Sequence, residues 1–241
     1  MNIKKILIIP GIFSLFLILF VLSSCRSYSG DVITDDDVAK EALSSFNYEI
    51  IDKEQKTIRL ISYESYITDV EVPGVVGTYT VVELAENLFF NEGISSITLP
   101  DTITNIGKGC FANCTFKEVV IPDSVITIGS QAFYGCDKLK TITLSNSLTE
   151  LSEGLLESCD GLTEIIIPDN VEKINDKAFY FCSSLTKVVL PKNLKQIRPK
   201  AFNRLDSNGN YDLYYKGSEE QYNNNVIADP DNMINVIYNY E

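Results

Sequence analysis

The chain has 241 residues, 45% hydrophobic and 22% charged, too apolar for wholesale disorder. Asp and Glu outnumber Lys and Arg by 33 to 20, giving a formal net charge of −13, and histidine and tryptophan are absent. Without histidine there is no Ser-His-Asp or Cys-His nucleophilic site, no two-His-carboxylate metal centre and no His-containing zinc site. The acidic balance argues against nucleic acid, which needs a basic partner, and against holding an anionic membrane face by charge alone.

Lys4 and Lys5 precede an apolar run from Ile6 to Leu22, and small residues then lead to Cys25. That order is the layout of a secretory signal. A retained transmembrane helix is the competing reading, because the run of 17 residues lies near the lower limit for spanning. Pro10-Gly11 weakens such a helix. Leu22-Ser23-Ser24-Cys25 resembles the lipobox of bacterial lipoproteins, in which the cysteine is lipidated and becomes the mature N-terminus. The resemblance implies a signal peptide over 1–24 and a membrane anchor at Cys25, with about 0.8 kcal/mol from each buried methylene. Residues 25–44 carry the run Asp35-Asp36-Asp37 and read as a lipidated tether with one helical turn around Val38–Leu43.

From residue 91 onward the dominant signal is repetition. Segments of six residues close at Leu99, Ile121, Leu144, Ile167 and Leu190, at steps of 22 or 23. Three further columns keep the same period. They are the pairs Leu88-Phe89, Cys110-Phe111, Ala132-Phe133, Leu155-Leu156, Ala178-Phe179 and Ala201-Phe202; the row Cys114, Cys136, Cys159, Cys182; and the row Ile106, Ile128, Leu151, Ile174, Ile197.

Each repeat translates into local structure. In the fourth copy, Leu162 to Ile167 is β-branched and alternating, which predicts a strand with Leu162, Ile165 and Ile167 inward and Glu164 and Ile166 outward. Pro168-Asp169 stops it, and Val171 and Ile174 make a second short buried segment. Asp176 to Phe181 reads as one helical or 3₁₀ turn. So short a unit cannot bury its own apolar positions. Stacked on neighbours, its columns become ladders and its strands a parallel sheet.

These residues, Leu-x-x-Ile-x-Ile-Pro-x-x-Val-x-x-Ile-x-x-x-Ala-Phe-x-x-Cys, resemble the BspA-type leucine-rich repeat of bacterial surface proteins. The match is close over about 94–203 and looser over Tyr48–Phe89, Tyr214–Tyr222 and Val236–Tyr238. Departures are Ser145 for proline, Leu155-Leu156 for Ala-Phe and Glu92 for cysteine, read as local repacking. The expected architecture is an α/β repeat solenoid, a right-handed leucine-rich-repeat superhelix of short parallel strands joined by single helical or 3₁₀ turns. Residues 45–90 are assigned to an N-terminal cap and degenerate first repeat, 91–203 to the repeats and 204–241 to a C-terminal cap, because open sheet edges invite aggregation.

Chemical sites are few. The cysteine column spreads thiols along a line, where a metal site needs them to converge, and reads as reduced core residues. Asp206-x-Asn208-x-Asn210-x-Asp212 begins like a calcium loop, but Tyr211 stands where glycine is required and Gly217 where glutamate is. Asn113-Cys114-Thr115 is a glycosylation sequon without default meaning in a bacterial lipoprotein. No Walker loop, nucleophile elbow or glycine-rich strand-to-helix turn is present, so no enzyme, cofactor or metal is expected.

Two outward strand columns remain: Thr98, Val120, Thr143, Ile166, Val189, and beside them Ser96, Glu118, Thr141, Glu164, Lys187. They form either an interaction face or merely strand-favouring residues covered by the chain itself. The family resemblance implies a non-catalytic binding protein of the bacterial cell envelope, lipid-anchored and surface-exposed, adhering to a host matrix or envelope protein. The alternative is a structural or assembly module that binds other envelope proteins.

Overall fold

The computed structural model describes residues 45–202, 212–228 and 236–241. Residues 1–44, with the expected signal, Cys25 and tether, lie outside them, as does most of the calcium-like segment 206–212. A hairpin opens the described chain: β1 (Phe46–Asp52) runs antiparallel to β2 (Thr57–Tyr63). Its inner strand then pairs in parallel with the first coil, so antiparallel pairing ends where the repeats begin.

Two columns of short strands follow. The first comprises β3 (Asp69–Glu71), β6 (Ser96–Thr98), β8 (Glu118–Val120), β10 (Thr141–Thr143), β12 (Glu164–Ile166), β14 (Lys187–Leu190), β16 (Asp212–Tyr215) and β18 (Val236–Ile237). Parallel in-register pairing joins β3 to β6, β8 to β10, and β12 through β14 and β16 to β18. β6 lies beside β8, and β10 beside β12.

The second column comprises β5 (Tyr79–Leu84), β7 (Asn105–Ile106), β9 (Thr127–Ile128), β11 (Glu150–Leu151), β13 (Lys173–Ile174), β15 (Gln196–Ile197) and β17 (Ile227–Ala228). Parallel pairing runs from β2 through β5 and β7 to β9, and from β11 through β13 and β15 to β17. The two-residue β4 (Val75–Val76) folds back on β5.

Strands this short have no independent stability, so the ladder exists only because the coils stack. Among the described residues the one helix is α1 (Glu219–Asn225), started by a capping box between Ser218 and Gln221. The architecture is thus a β-solenoid, and the α component expected from the sequence shrinks to this helix.

The fourth coil orients as its pattern predicts: Leu162, Ile165 and Ile167 are buried, and Glu164 and Ile166 face solvent. The phenylalanine column stacks along the axis. Phe89 to Phe111 is 5.4 Å between ring centroids, Phe111 to Phe133 5.2 Å, and Phe179 to Phe202 5.1 Å. Leu156 fills the gap and is fully buried. Ser145 replaces proline by satisfying itself. Its hydroxyl donates to the Val125 carbonyl at 2.6 Å and accepts from the Ser147 amide at 3.1 Å.

The helical or 3₁₀ turn expected at 176–181 is absent. The segment is a run of tight turns in which alternate amides serve different partners. Ala178, Tyr180 and Cys182 donate three residues back, to Asn175, Lys177 and Phe179, while Lys177 and Phe179 donate to Pro199 and Ala201 of the next coil. Lys177 and Phe181 take positive φ, 58° and 60°, which breaks any continuous helix. The i to i+3 apolar spacing is common to both geometries. What selects this one is that half the amides hydrogen-bond along the axis, outside any helix.

Candidate interaction face

Strand alternation sends one set of side chains from the first sheet into the core and the other to solvent. Ser96, Thr98, Glu118, Val120, Thr141, Thr143, Glu164 and Ile166 are all exposed, as their columns predict. Val120 and Ile166 are each 64% exposed, unusual for β-branched apolar residues on rigid strands. The pairing sets Glu118 beside Thr141 and Val120 beside Thr143, and further along Glu164 beside Lys187 and Ile166 beside Val189.

Val189 departs from its column. It is 2% exposed and forms no part of an open face. The cause lies in the next strand: Val189 pairs with Tyr214, whose ring meets Tyr240 at 4.9 Å. Lys187 is half-buried in the same cluster. Its ammonium donates to the Tyr240 hydroxyl at 2.8 Å and lies 5.4 and 5.0 Å from the Tyr214 and Tyr240 ring centroids. The Tyr240 hydrogen bond is the main reason the Lys187 pKa is raised. Sequence reading missed Tyr214, Ile237 and Tyr240, which continue this edge of the sheet. The tyrosine-rich tail was the available signal, but it breaks the repeat spacing that defined the columns.

Among the described residues Cys110, Cys114, Cys136, Cys159 and Cys182 are buried. Each column thiol donates to a carbonyl of the preceding coil: Cys114 to Phe89 at 3.3 Å, Cys136 to Phe111 at 3.2 Å, Cys159 to Phe133 at 3.1 Å and Cys182 to Leu156 at 3.0 Å. Burial pushes the Cys110, Cys114 and Cys159 thiols up, suppressing the thiolate that reactivity or metal binding needs. Among the described residues no three Cys, Asp or Glu side chains converge as metal ligands would.

Charges on the second sheet are spent between coils. Glu150 meets Lys173 at 3.7 Å, Glu172 meets Lys195 at 2.7 Å and Asp176 meets Arg198 at 3.1 Å. At the proline corner, amide hydrogen bonds from Asn146 hold the Asp123 carboxyl below its usual range. These contacts tie coil to coil, and none pairs two carboxylates across a cleft as acid and base.

The BspA type leucine rich repeat region matches residues 82–208 in six copies, more than half the chain. The chain belongs to this family. Solved structures agree on the fold. The BspA-type solenoid is similar to the Treponema pallidum leucine-rich repeat protein at 23% identity and TM-score 0.61, covering 72% of this chain and 84% of that one. Against a Bacteroides ovatus leucine-rich repeat protein the figures are 22% and 0.50, over 80% and 70%. The pneumococcal vaccine antigen PcpA matches at 19% and 0.56, over 80% of this chain but 47% of its own length. No curated protein matches the chain in sequence.

Proposed function

We propose that this BspA-type solenoid is a non-catalytic binding protein of the bacterial surface, and that it takes a protein partner on the outward face of its first sheet. One observation carries the reading: Val120 and Ile166 stand 64% exposed on a rigid ladder, with Glu118, Thr141, Thr143 and Glu164 around them. An apolar row with a polar surround is the composition of an interface core and rim. The resemblance to repeats of bacterial surface proteins supports an outward location, and a pneumococcal vaccine antigen shares the fold. Lipidation at Cys25 supplies the anchor in this reading, and right-handed winding follows the usual hand of parallel crossovers.

The test is binding of the full chain to immobilised extracellular-matrix proteins and, separately, to envelope proteins. Val120→Asp with Ile166→Asp abolishes binding at an unchanged melting temperature if this face is the site. Unchanged binding sinks it. Capture by envelope proteins alone selects the assembly reading over adhesion. Loss of palmitate labelling in Cys25→Ala, with labelling in the parent, tests the anchor.

A further inference from the structure

The two sheets hold their outward charges differently. Along the second, carboxylates and cations of successive coils meet as ion pairs, Glu150 with Lys173 and Glu172 with Lys195. Along the first, Asp69, Glu71, Glu118 and Glu164 are all exposed, and none of them forms an ion pair among the described residues.

Strand register is the reason. Pairing of β3 with β6 sets Asp69 beside Ser96 and Glu71 beside Thr98, and pairing of β8 with β10 sets Glu118 beside Thr141. Those hydroxyl side chains offer no charge in return. Glu164 does have a cation in register, Lys187 on β14. That ammonium is turned away to the Tyr240 hydroxyl at 2.8 Å and lies against the Tyr214 and Tyr240 rings. Lys117 and Lys140 are exposed at the entry to β8 and β10, and neither forms an ion pair among the described residues.

Two of these carboxylates flank the apolar centre of the face. Residues two apart in a strand point the same way, so Glu118 leaves β8 beside Val120, and Glu164 leaves β12 beside Ile166. A protein that covers Val120 and Ile166 therefore lays its own surface over Glu118 and Glu164. A neutral apolar surface there strips water from a carboxylate and returns nothing. An acidic surface adds repulsion. A basic surface supplies the missing counter-charge and makes a charge-assisted hydrogen bond at each carboxylate. The net charge of −13 acts in the same sense at long range, drawing cationic partners in and speeding their encounter.

We propose that the protein partner of this face is basic, with Lys or Arg side chains that meet Glu118 and Glu164 while apolar side chains cover Val120 and Ile166. The proposal rests on the reading of that face as a protein-binding surface and adds the partner's charge to it.

Three synthetic peptides test it on the full chain, with lysine, serine or glutamate alternating with valine. Amide shifts in the NMR spectrum locate each peptide, and titration gives its affinity. The lysine peptide shifts the amides of 118–120 and 164–166, binds more tightly than the serine peptide, and weakens as salt rises. Glu118→Gln with Glu164→Gln lowers its affinity about tenfold, through loss of two charge-assisted contacts. Glu150→Gln with Glu172→Gln removes the same net charge from the second sheet and leaves the affinity within about twofold, because distant charge is screened. Equal losses in the two double variants, or a serine peptide that binds these strands as tightly as the lysine peptide, overturn the basic partner. The face is judged separately. Serine-peptide shifts at 118–120 and 164–166 that vanish in Val120→Asp with Ile166→Asp overturn the partner's charge and keep the face. No shift at these strands with any peptide also overturns the basic partner, and matrix and envelope binding then decides the face alone.

Discussion

Cys136 donates its thiol hydrogen to the Phe111 carbonyl one coil earlier, at 3.2 Å, so the cysteine column links successive coils by side chain as the sheet does by backbone. The neighbouring thiols are pushed up by burial, Cys110 and Cys159 well above the ordinary 9.0. Peptide-level labelling of native protein with a thiol reagent is therefore slow at Cys110 and Cys159 from pH 7 to 9, with no levelling-off in that range. In denaturant it is faster and its rise levels off toward pH 9, where the unfolded thiol approaches half-ionisation. The linkage follows the same sign. A folded-state pKa raised above the unfolded one gives stability that is complete below the unfolded value and lost as pH climbs toward the folded one. The melting temperature thus holds to about pH 8.5 and falls above it, and Cys110→Ala makes that alkaline fall shallower.

Phe111 lies between Phe89 and Phe133 at 5.4 and 5.2 Å, and Phe116 meets it edge-on at 6.1 Å. Phe111→Ala empties the centre of that stack and costs about 3–5 kcal/mol. Phe111→Leu costs much less, about 1.5 kcal/mol or under, because Leu156 already occupies the equivalent place two coils on. Urea denaturation of the two variants checks the difference. Equal losses would mean that ring stacking, and not filled volume, holds the column.

Residue spacing carried most of this fold. Ile165 and Ile167 point inward and Glu164 and Ile166 outward because strand alternation is a local property with a period of two. Val189 was misplaced for a non-local reason. Its own strand puts it in the outward column, and only pairing with Tyr214, in a segment without the repeat signature, closes that position. The turn at Asp176–Phe181 failed differently: its apolar spacing fits a helical turn equally well, and the deciding amide bonds from Lys177 and Phe179 reach a coil more than twenty residues away.

Ser145 marks where a coil does without its proline. Its hydroxyl is fully buried, donates to Val125 and accepts from Ser147. Ser145→Ala leaves both partners short of a bond and costs about 1–3 kcal/mol. Chemical denaturation measures it, and amide exchange at Ser147 faster than in the parent locates the loss. A change within error would show that water replaces the hydroxyl.

Val189 and Ile166 are neighbours on paired strands, yet substitution separates them. Ile166 is 64% exposed, so Ile166→Asp changes stability by no more than about 0.5 kcal/mol. Val189 is 2% exposed beside Tyr214, and an aspartate there must lose its water or displace the ring. Burying an unpaired carboxylate is among the few single changes that cost several kcal/mol. Displacing Tyr214 also loosens its contact with Tyr240 and the ammonium of Lys187 above them. Val189→Asp therefore lowers the melting temperature steeply where Ile166→Asp leaves it in place, and differential scanning calorimetry of the pair reads this directly. Similar melting for both would mean that Tyr214 does not close over this strand in solution, and Val189 would then rejoin the exposed row with Val120 and Ile166.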